Sequence, residues 1–157
     1  AGQTPAQWDL LRRFQRGELL RIGAGDLLGL CDLPAVTLQL SHLADSLAQV
    51  CLALAAQQTG QSPAGFVVLA MGKLGGEELN YSSDIDLLGI CDDCAYTLLT
   101  RDGEERSHKQ VYQRILDEVR KDLSDMTPEG VAYRVDFRLR PHGSAGAPPT
   151  PLQGCRG

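Results

Sequence analysis

The sequence predicts an α+β fold: a helical arm over residues 1–60, a domain mixing strands and helices over 61–146, and an irregular tail over 147–157. Three observations predict it. Val36, Leu40, Leu43, Leu47, Val50 and Leu54 recur every three or four residues, the period of a helix with one apolar face. Phe66 to Met71 is an unbroken apolar run between glycines, which suits a buried strand. Val131 to Leu139 alternates, with Val131, Tyr133, Val135, Phe137 and Leu139 on one side and Ala132, Arg134, Asp136 and Arg138 on the other.

Taken in order, Thr4-Pro5 is a helix start, with Pro where its missing N–H costs nothing. Trp8, Leu11, Phe14, Leu19 and Ile22 follow at helical spacings, while Gly17, Gly23 and Gly25 weaken the helix and predict a break near 23–25. Asp32-Leu33-Pro34 opens a second helix that ends near Gly60, and Gln61 to Pro63 turns into the apolar strand. A glycine turn comes next, with one helical turn expected from Gly76 to Asn80, then a strand from Asp84 to Cys91. Thr97 to Arg106 is polar, with Asp102-Gly103 as a turn. Glu105 to Met126 reads as a helix whose inner face is Val111, Ile115, Val119 and Leu123, closed by Thr127-Pro128-Glu129-Gly130. From Gly143 onward Gly and Pro dominate, and no internal repeat is present.

The bulk properties narrow the function. A composition of 43% apolar and 22% charged residues is that of an ordinary soluble domain. A net charge of −5 argues against a general nucleic-acid binder, which needs a basic surface, although Arg134, Arg138 and Arg140 cluster around one Asp. No apolar stretch reaches the length of a membrane span and no signal peptide is visible, so no membrane partner is expected. The chain opens on Ala, so a fragment of a longer protein is expected. Five cysteines at irregular spacing do not make a secreted disulfide framework and predict a reducing cytoplasm. Cys91-Asp92-Asp93-Cys94 has no second close pair to complete a zinc site. His42, His108 and His142 share no close spacing and read as helix surface, helix start and loop. Trp8 reads as a packing residue.

The chemistry sits in Gly72-Lys73-Leu74-Gly75-Gly76-Glu77-Glu78-Leu79-Asn80-Tyr81-Ser82-Ser83-Asp84-Ile85-Asp86-Leu87. Side chains alternate along a strand, so Asp84 and Asp86 point the same way. Two neighbouring carboxylates repel unless cations compensate them, and all-oxygen ligation favours Mg²⁺ or Mn²⁺. Asp136, on the polar side of its own strand, is placed to be a third ligand or a base for the attacking hydroxyl. Gly75 and Gly76 lack Cβ atoms, so their N–H groups can approach phosphate oxygens. Ser82 and Ser83 add hydroxyls beside the acids, and Lys73, Arg138 and Arg140 add positive groups for phosphate or an acidic substrate surface. Alone, a Gly-Gly is usually a turn and an Asp-x-Asp is often a solvated strand end. Strand, Gly-Gly, Asp-x-Asp strand, helix and Asp-bearing strand in that order are what a polymerase-like nucleotidyltransferase needs.

The run Met71 to Leu87 resembles the signature of the glutamine synthetase adenylyltransferases. Tyr133-Arg134-Val135-Asp136-Phe137-Arg138-Leu139-Arg140-Pro141 is similar to that family's second signature, and Leu11-Arg12-Arg13-Phe14 with Glu18-Leu19-Leu20-Arg21-Ile22 to the helical stretch preceding its catalytic domain. The resemblance covers Trp8 to Gly146. It implies a nucleotidyltransferase fold of the DNA-polymerase-β type. It also implies a bifunctional enzyme: one domain transfers AMP from ATP to a tyrosine of glutamine synthetase, and a related domain removes it by phosphorolysis, releasing ADP. By the same resemblance Asp84, Asp86 and Asp136 bind metal, and Gly75 and Gly76 line the phosphate site. The wording of both signatures sits nearer the AMP-removing domain, but both domains share the motifs and the direction stays open. Regulation through a PII signalling protein is implied for regions outside this chain. The tail beyond Gly146 no longer resembles the family. Two other readings remain: a nucleotidyltransferase with a small-molecule acceptor, and a catalytically silent fragment that binds nucleotide or glutamine synthetase.

Overall fold

A computed structural model describes residues 5–60, 65–92, 97–99, 103, 105–137 and 150–151. It is a mixed α+β structure with two long helices first: α1 (Pro5–Leu27) and α2 (Leu33–Thr59). Then come β1 (Phe66–Met71), the single turn α3 (Gly72–Gly75), β2 (Ile85–Cys91), β3 (Thr97–Leu99), β4 (Glu105–Ser107), α4 (His108–Ser124), β5 (Val135–Asp136) and β6 (Thr150–Pro151). β1 runs antiparallel to β2, while β5 and β6 both pair with β2 in parallel. β3 and β4 form a separate antiparallel pair.

α1 runs unbroken through Gly17, Gly23 and Gly25, contrary to the expected break. A helical glycine costs about 1 kcal/mol relative to alanine, which packing can offset. Here Ile22 is buried, and the Tyr81 ring lies 3.9 Å from where a Cβ on Gly23 would be. Phe14, expected on the inner face, is exposed; its place is taken by two buried polar residues, Arg12 and Gln15.

α2 begins where expected. Asp32 Oδ1 accepts from Ala35 N at 3.0 Å, and Gly60 closes the helix in the left-handed conformation at φ 69°. Val36, Leu40, Leu43 and Leu47 are buried, but Val50 is exposed and Cys51 and Ala55 face inward instead. A straight helix drifts about 20° per heptad against a strict repeat, so the inner stripe moves round over 27 residues.

Among the described residues β1 ends the sheet, and it is not the buried strand that its apolar run suggested. Phe66, Val68 and Ala70 pack on the core, whereas Val67 and Leu69 are 48% and 41% exposed. The helix expected over 105–126 is shorter, because Glu105 to Ser107 pairs with Thr97 to Leu99. Its start is a capping box: Ser107 Oγ accepts from Gln110 N and Gln110 Oε1 accepts from Ser107 N. Val111, Ile115, Val119 and Leu123 are all buried, as their spacing predicts. The alternation over 131–139 yields only the two-residue β5 among the described residues. Val131 is exposed and Ala132 and Tyr133 donate their amides to Leu123 O instead of to a strand.

Candidate active site

β2 lies between β1 and β5, and this places Asp86. It is in register with Met71 on one side and with Asp136 on the other. Adjacent strands lie about 4.8 Å apart, so the two carboxylates stand side by side. Asp84 immediately precedes β2, and its Oδ1 accepts from Arg134 Nε at 2.5 Å. The backbones are tied at the same point, Ile85 N donating to Arg134 O at 2.9 Å. Ile85 and Leu87 are buried at 0% and 2% exposure, so the alternate residues Asp84 and Asp86 occupy the outward face. The expected acids Asp84, Asp86 and Asp136 therefore come together on two neighbouring strands.

The glycine turn is shaped by close approach. Gly72 has φ 55°, and a Cβ there would stand 2.5 Å from Asp86 Oδ2. A Cβ on Gly75 would stand 2.5 Å from the Ala70 carbonyl oxygen. The helical turn expected over 76–80 comes earlier, at Gly72–Gly75, and Gly76 donates its N–H to Gly72 O at 3.0 Å. Glu77 and Glu78 likewise donate to Leu74 O and Lys73 O. Lys73 is exposed on α3. Ser83 Oγ donates to Asn80 Oδ1 at 2.5 Å and so closes the turn leading into the acidic strand. Arg138 and Arg140 lie outside the described residues, as do His142, Cys94 and Cys155.

The loop between α3 and β2 is fastened to both long helices. Leu79 N donates to the buried Ser41 Oγ of α2 at 3.1 Å, and Tyr81 Oη donates to Asp26 Oδ2 of α1 at 2.9 Å. A recess beside the turn is lined by Ser41, His42, Asp45, Ala70, Leu74, Gly75 and Glu77. His42 is a helix-surface residue, 4.0 Å from Glu77.

The segment feeding β5 is held from α1. Arg12, 1% exposed, donates to four carbonyls: Gly130 at 2.7 Å, Asp125 at 2.8 Å, Asp122 at 3.0 Å and Trp8 at 3.3 Å. Two of these belong to the C-terminal end of α4, where a cation also suits the helix dipole. Gln15 Nε2 donates to Ala132 O at 2.7 Å, and Arg13 and Arg16 both pair with Glu129. Burial lowers the Arg12 pKa from its ordinary value, opposed by the nearby Cys51, Asp9, Asp122 and Asp125. Burial, with Glu118 nearby, pushes the Asp122 carboxyl up to about 7 against the pull of Arg12; burial also pushes the Cys51 thiol up to about 12.

Sequence reasoning missed Gly72, Arg12, Gln15 and the Arg134–Asp84 pair. The signal for Arg12 and Gln15 was present: they continue the stripe Trp8, Leu11, Leu19, Ile22 at positions where no apolar residue stands. Among the described residues, no three His, Cys, Asp or Glu side chains converge tightly enough to hold an ion by themselves. Asp84, Asp86 and Asp136 are nevertheless all oxygen donors, the type that a hard cation such as Mg²⁺ takes.

With this geometry in place, the comparisons with known proteins are informative. A family model described as glutamate-ammonia ligase adenylyltransferase matches residues 2–156. The chain is 36% identical over 148 residues to a bifunctional glutamine synthetase adenylyltransferase/adenylyl-removing enzyme of Neisseria meningitidis serogroup A, and 37% identical over 148 residues to that of serogroup B. In each case 92% of this chain is covered, and the chain spans 15% of the relative's length.

Proposed function

The chain belongs to the glutamate-ammonia ligase adenylyltransferase family, and on that premise we propose that it carries a polymerase-β-like nucleotidyltransferase site that adds AMP to, or removes it from, a tyrosine of glutamine synthetase. The observation that carries this reading is the register of Asp86 with Asp136, with Asp84 one step back on the same face. Asp84, Asp86 and Asp136 would hold Mg²⁺ or Mn²⁺, which neutralises phosphate charge when bound. In the adding direction the tyrosine hydroxyl attacks the α-phosphorus of ATP, and pyrophosphate leaves. In the removing direction inorganic phosphate attacks the AMP phosphorus, the tyrosine leaves, and ADP is released. In this reading Asp136 takes the proton of the attacking hydroxyl and Gly75, Gly76, Ser83 and Lys73 meet the phosphates, with the Gly76 amide exchanging its bond to Gly72 O. We extend the proposal to a cytoplasmic setting and to control by a PII signalling protein. No described helix is long and apolar enough to cross a membrane.

The test is the intact mass of glutamine synthetase subunits after incubation with this chain and Mg²⁺. One arm holds unmodified subunits and ATP; the other holds adenylylated subunits and phosphate. Gain of AMP in the first assigns addition, and loss in the second assigns removal. No change in either arm, with a full-length relative active alongside, sinks the proposal for this chain.

A further inference from the structure

Four side chains share the outward face of the β2–β5 pair: Asp84 beside Arg134, and one alternation further on Asp86 beside Asp136. Three are acids and one is a base, so Arg134 is the only positive member of that quartet. Its Nε donates to Asp84 Oδ1 at 2.5 Å, and its side chain is 76% exposed against 50% for Asp84. Among the described residues its guanidinium has no other partner, and the two terminal nitrogens carry four further N–H donors. An arginine presents these donors in a planar fork matched to a phosphate.

The setting makes the pair easy to exchange. A solvent-exposed ion pair biases an equilibrium by less than about fivefold. Arg12 is the opposite case, buried and bonded to four carbonyls, and is fixed. The backbone tie between Ile85 and Arg134 keeps the Arg134 Cα beside Asp84 whatever the guanidinium does. The side chain can therefore leave the carboxylate without disturbing the register of the acids.

We infer that Arg134 is an exchangeable phosphate contact, held by Asp84 while the face is empty and turned to a phosphate oxygen of the ligand when one binds. The inference rests on reading this face as a phosphoryl-handling site, and it adds a phosphate-binding residue together with its competitor. Asp84 thereby acquires a second role, masking the guanidinium that an incoming anion needs.

The test needs neither metal nor AMP transfer. The chain, in buffer with EDTA, is titrated with inorganic phosphate while the backbone amide resonances of Ile85, Asp86, Val135 and Asp136 are followed by NMR in every form, and the Arg134 Nε–Hε resonance in the forms that keep Arg134. The wild type should bind phosphate weakly. Asp84→Asn should bind it about three- to fivefold tighter, because the guanidinium is released. Arg134→Gln should lose binding. The double variant Asp84→Asn/Arg134→Gln should lose the gain as well, which separates release of Arg134 from simple removal of a repelling charge. Unchanged affinity in Asp84→Asn, a gain that survives in the double variant, or no phosphate-dependent shift in any form overturns the inference. Both residues are exposed, and amide spectra of the variants check that the fold is kept. The result is independent of the mass assay: a phosphate gain with no AMP transfer leaves this inference standing and removes the proposed function.

Discussion

The Asp86 carboxylate lies over Gly72: a Cβ at that glycine would stand 2.5 Å from Asp86 Oδ2. The contact joins the end of β1 to the central acid of the site, because Met71 and Asp86 are register partners. Two constraints meet at one residue, since Gly72 also has φ 55°.

Gly72→Ala is accordingly expected to cost about 1–3 kcal/mol, the usual range for forcing a side chain into a left-handed backbone position, with contact against Asp86 added. Urea unfolding measures the cost. AMP transfer or removal, read by subunit mass, should fall further than the lost stability explains. Wild-type stability in the variant would mean that Asp86 does not rest on Gly72.

Glycine position decides the sign of the effect. Gly17 lies inside α1 with nothing within 4 Å of an added Cβ, so Gly17→Ala should stabilise by about 0.5–1 kcal/mol. Gly75→Ala should destabilise, because the new methyl meets the Ala70 carbonyl oxygen of β1 and backbone cannot step aside. Thermal melts of the two variants should move in opposite directions.

Arg12→Met keeps much of the side-chain bulk but takes the guanidinium from four carbonyls, of which Gly130 O keeps the Thr127 amide. Buried acceptors left unpaired cost about 1–3 kcal/mol each in the worst case, and relaxation lets water reach some of them. A total loss of roughly 2–4 kcal/mol is expected, in the range of the larger single-residue effects. Arg12→Lys should recover less than half, since one ammonium cannot span acceptors on α1, the end of α4 and the turn at Gly130. Full recovery by lysine in urea titrations would show that charge alone, not the fork, is what α4 requires.

Asp122 predicts a pH dependence. Burial raises its folded pKa to about 7, above the ordinary carboxyl value. Between those two values the folded state binds more protons than the unfolded state, so stability falls as pH rises. The contribution is complete below the ordinary value of about 3.9 and is lost as pH passes through about 7. The slope from this group is at most about 1.4 kcal/mol per pH unit. Glu118, Asp125, Lys121, Arg12 and Cys51 are the charged or titratable neighbours. Asp122→Asn should flatten the decline between pH 5 and 7 in urea unfolding; an unchanged slope would place the titrating group elsewhere.

Much of this was legible from local pattern. Asp32 and Gly60 announced the ends of α2, and Val111, Ile115, Val119 and Leu123 announced the inner face of α4, because caps and helical period are local properties. The pairing of Asp86 with Asp136 was suggested by two acidic strand segments but needed the parallel register to become geometry. What stayed hidden was set by partners distant in sequence. The exposure of Val67 and Leu69 follows from the sheet being covered by helices on one face only among the described residues, which no property of the run itself encodes. The continuity of α1 through three glycines depends on contacts such as that of Tyr81. Arg12 and Gln15 were not singled out, because three of the four Arg12 acceptors and the Gln15 acceptor lie more than a hundred positions away.

That separation has a consequence for how the molecule is made. Synthesis runs from the N-terminus, so α1 emerges with a guanidinium and a carboxamide whose distant acceptors, among residues 122 to 132, have not yet been joined to the chain. Until they arrive, α1 can pack against α2 but cannot make the bonds that seat Arg12 and Gln15. Contacts that close such long loops come late in folding. The contacts that seat α1 are thus complete only once the segment leading into the strand that carries Asp136 has followed it.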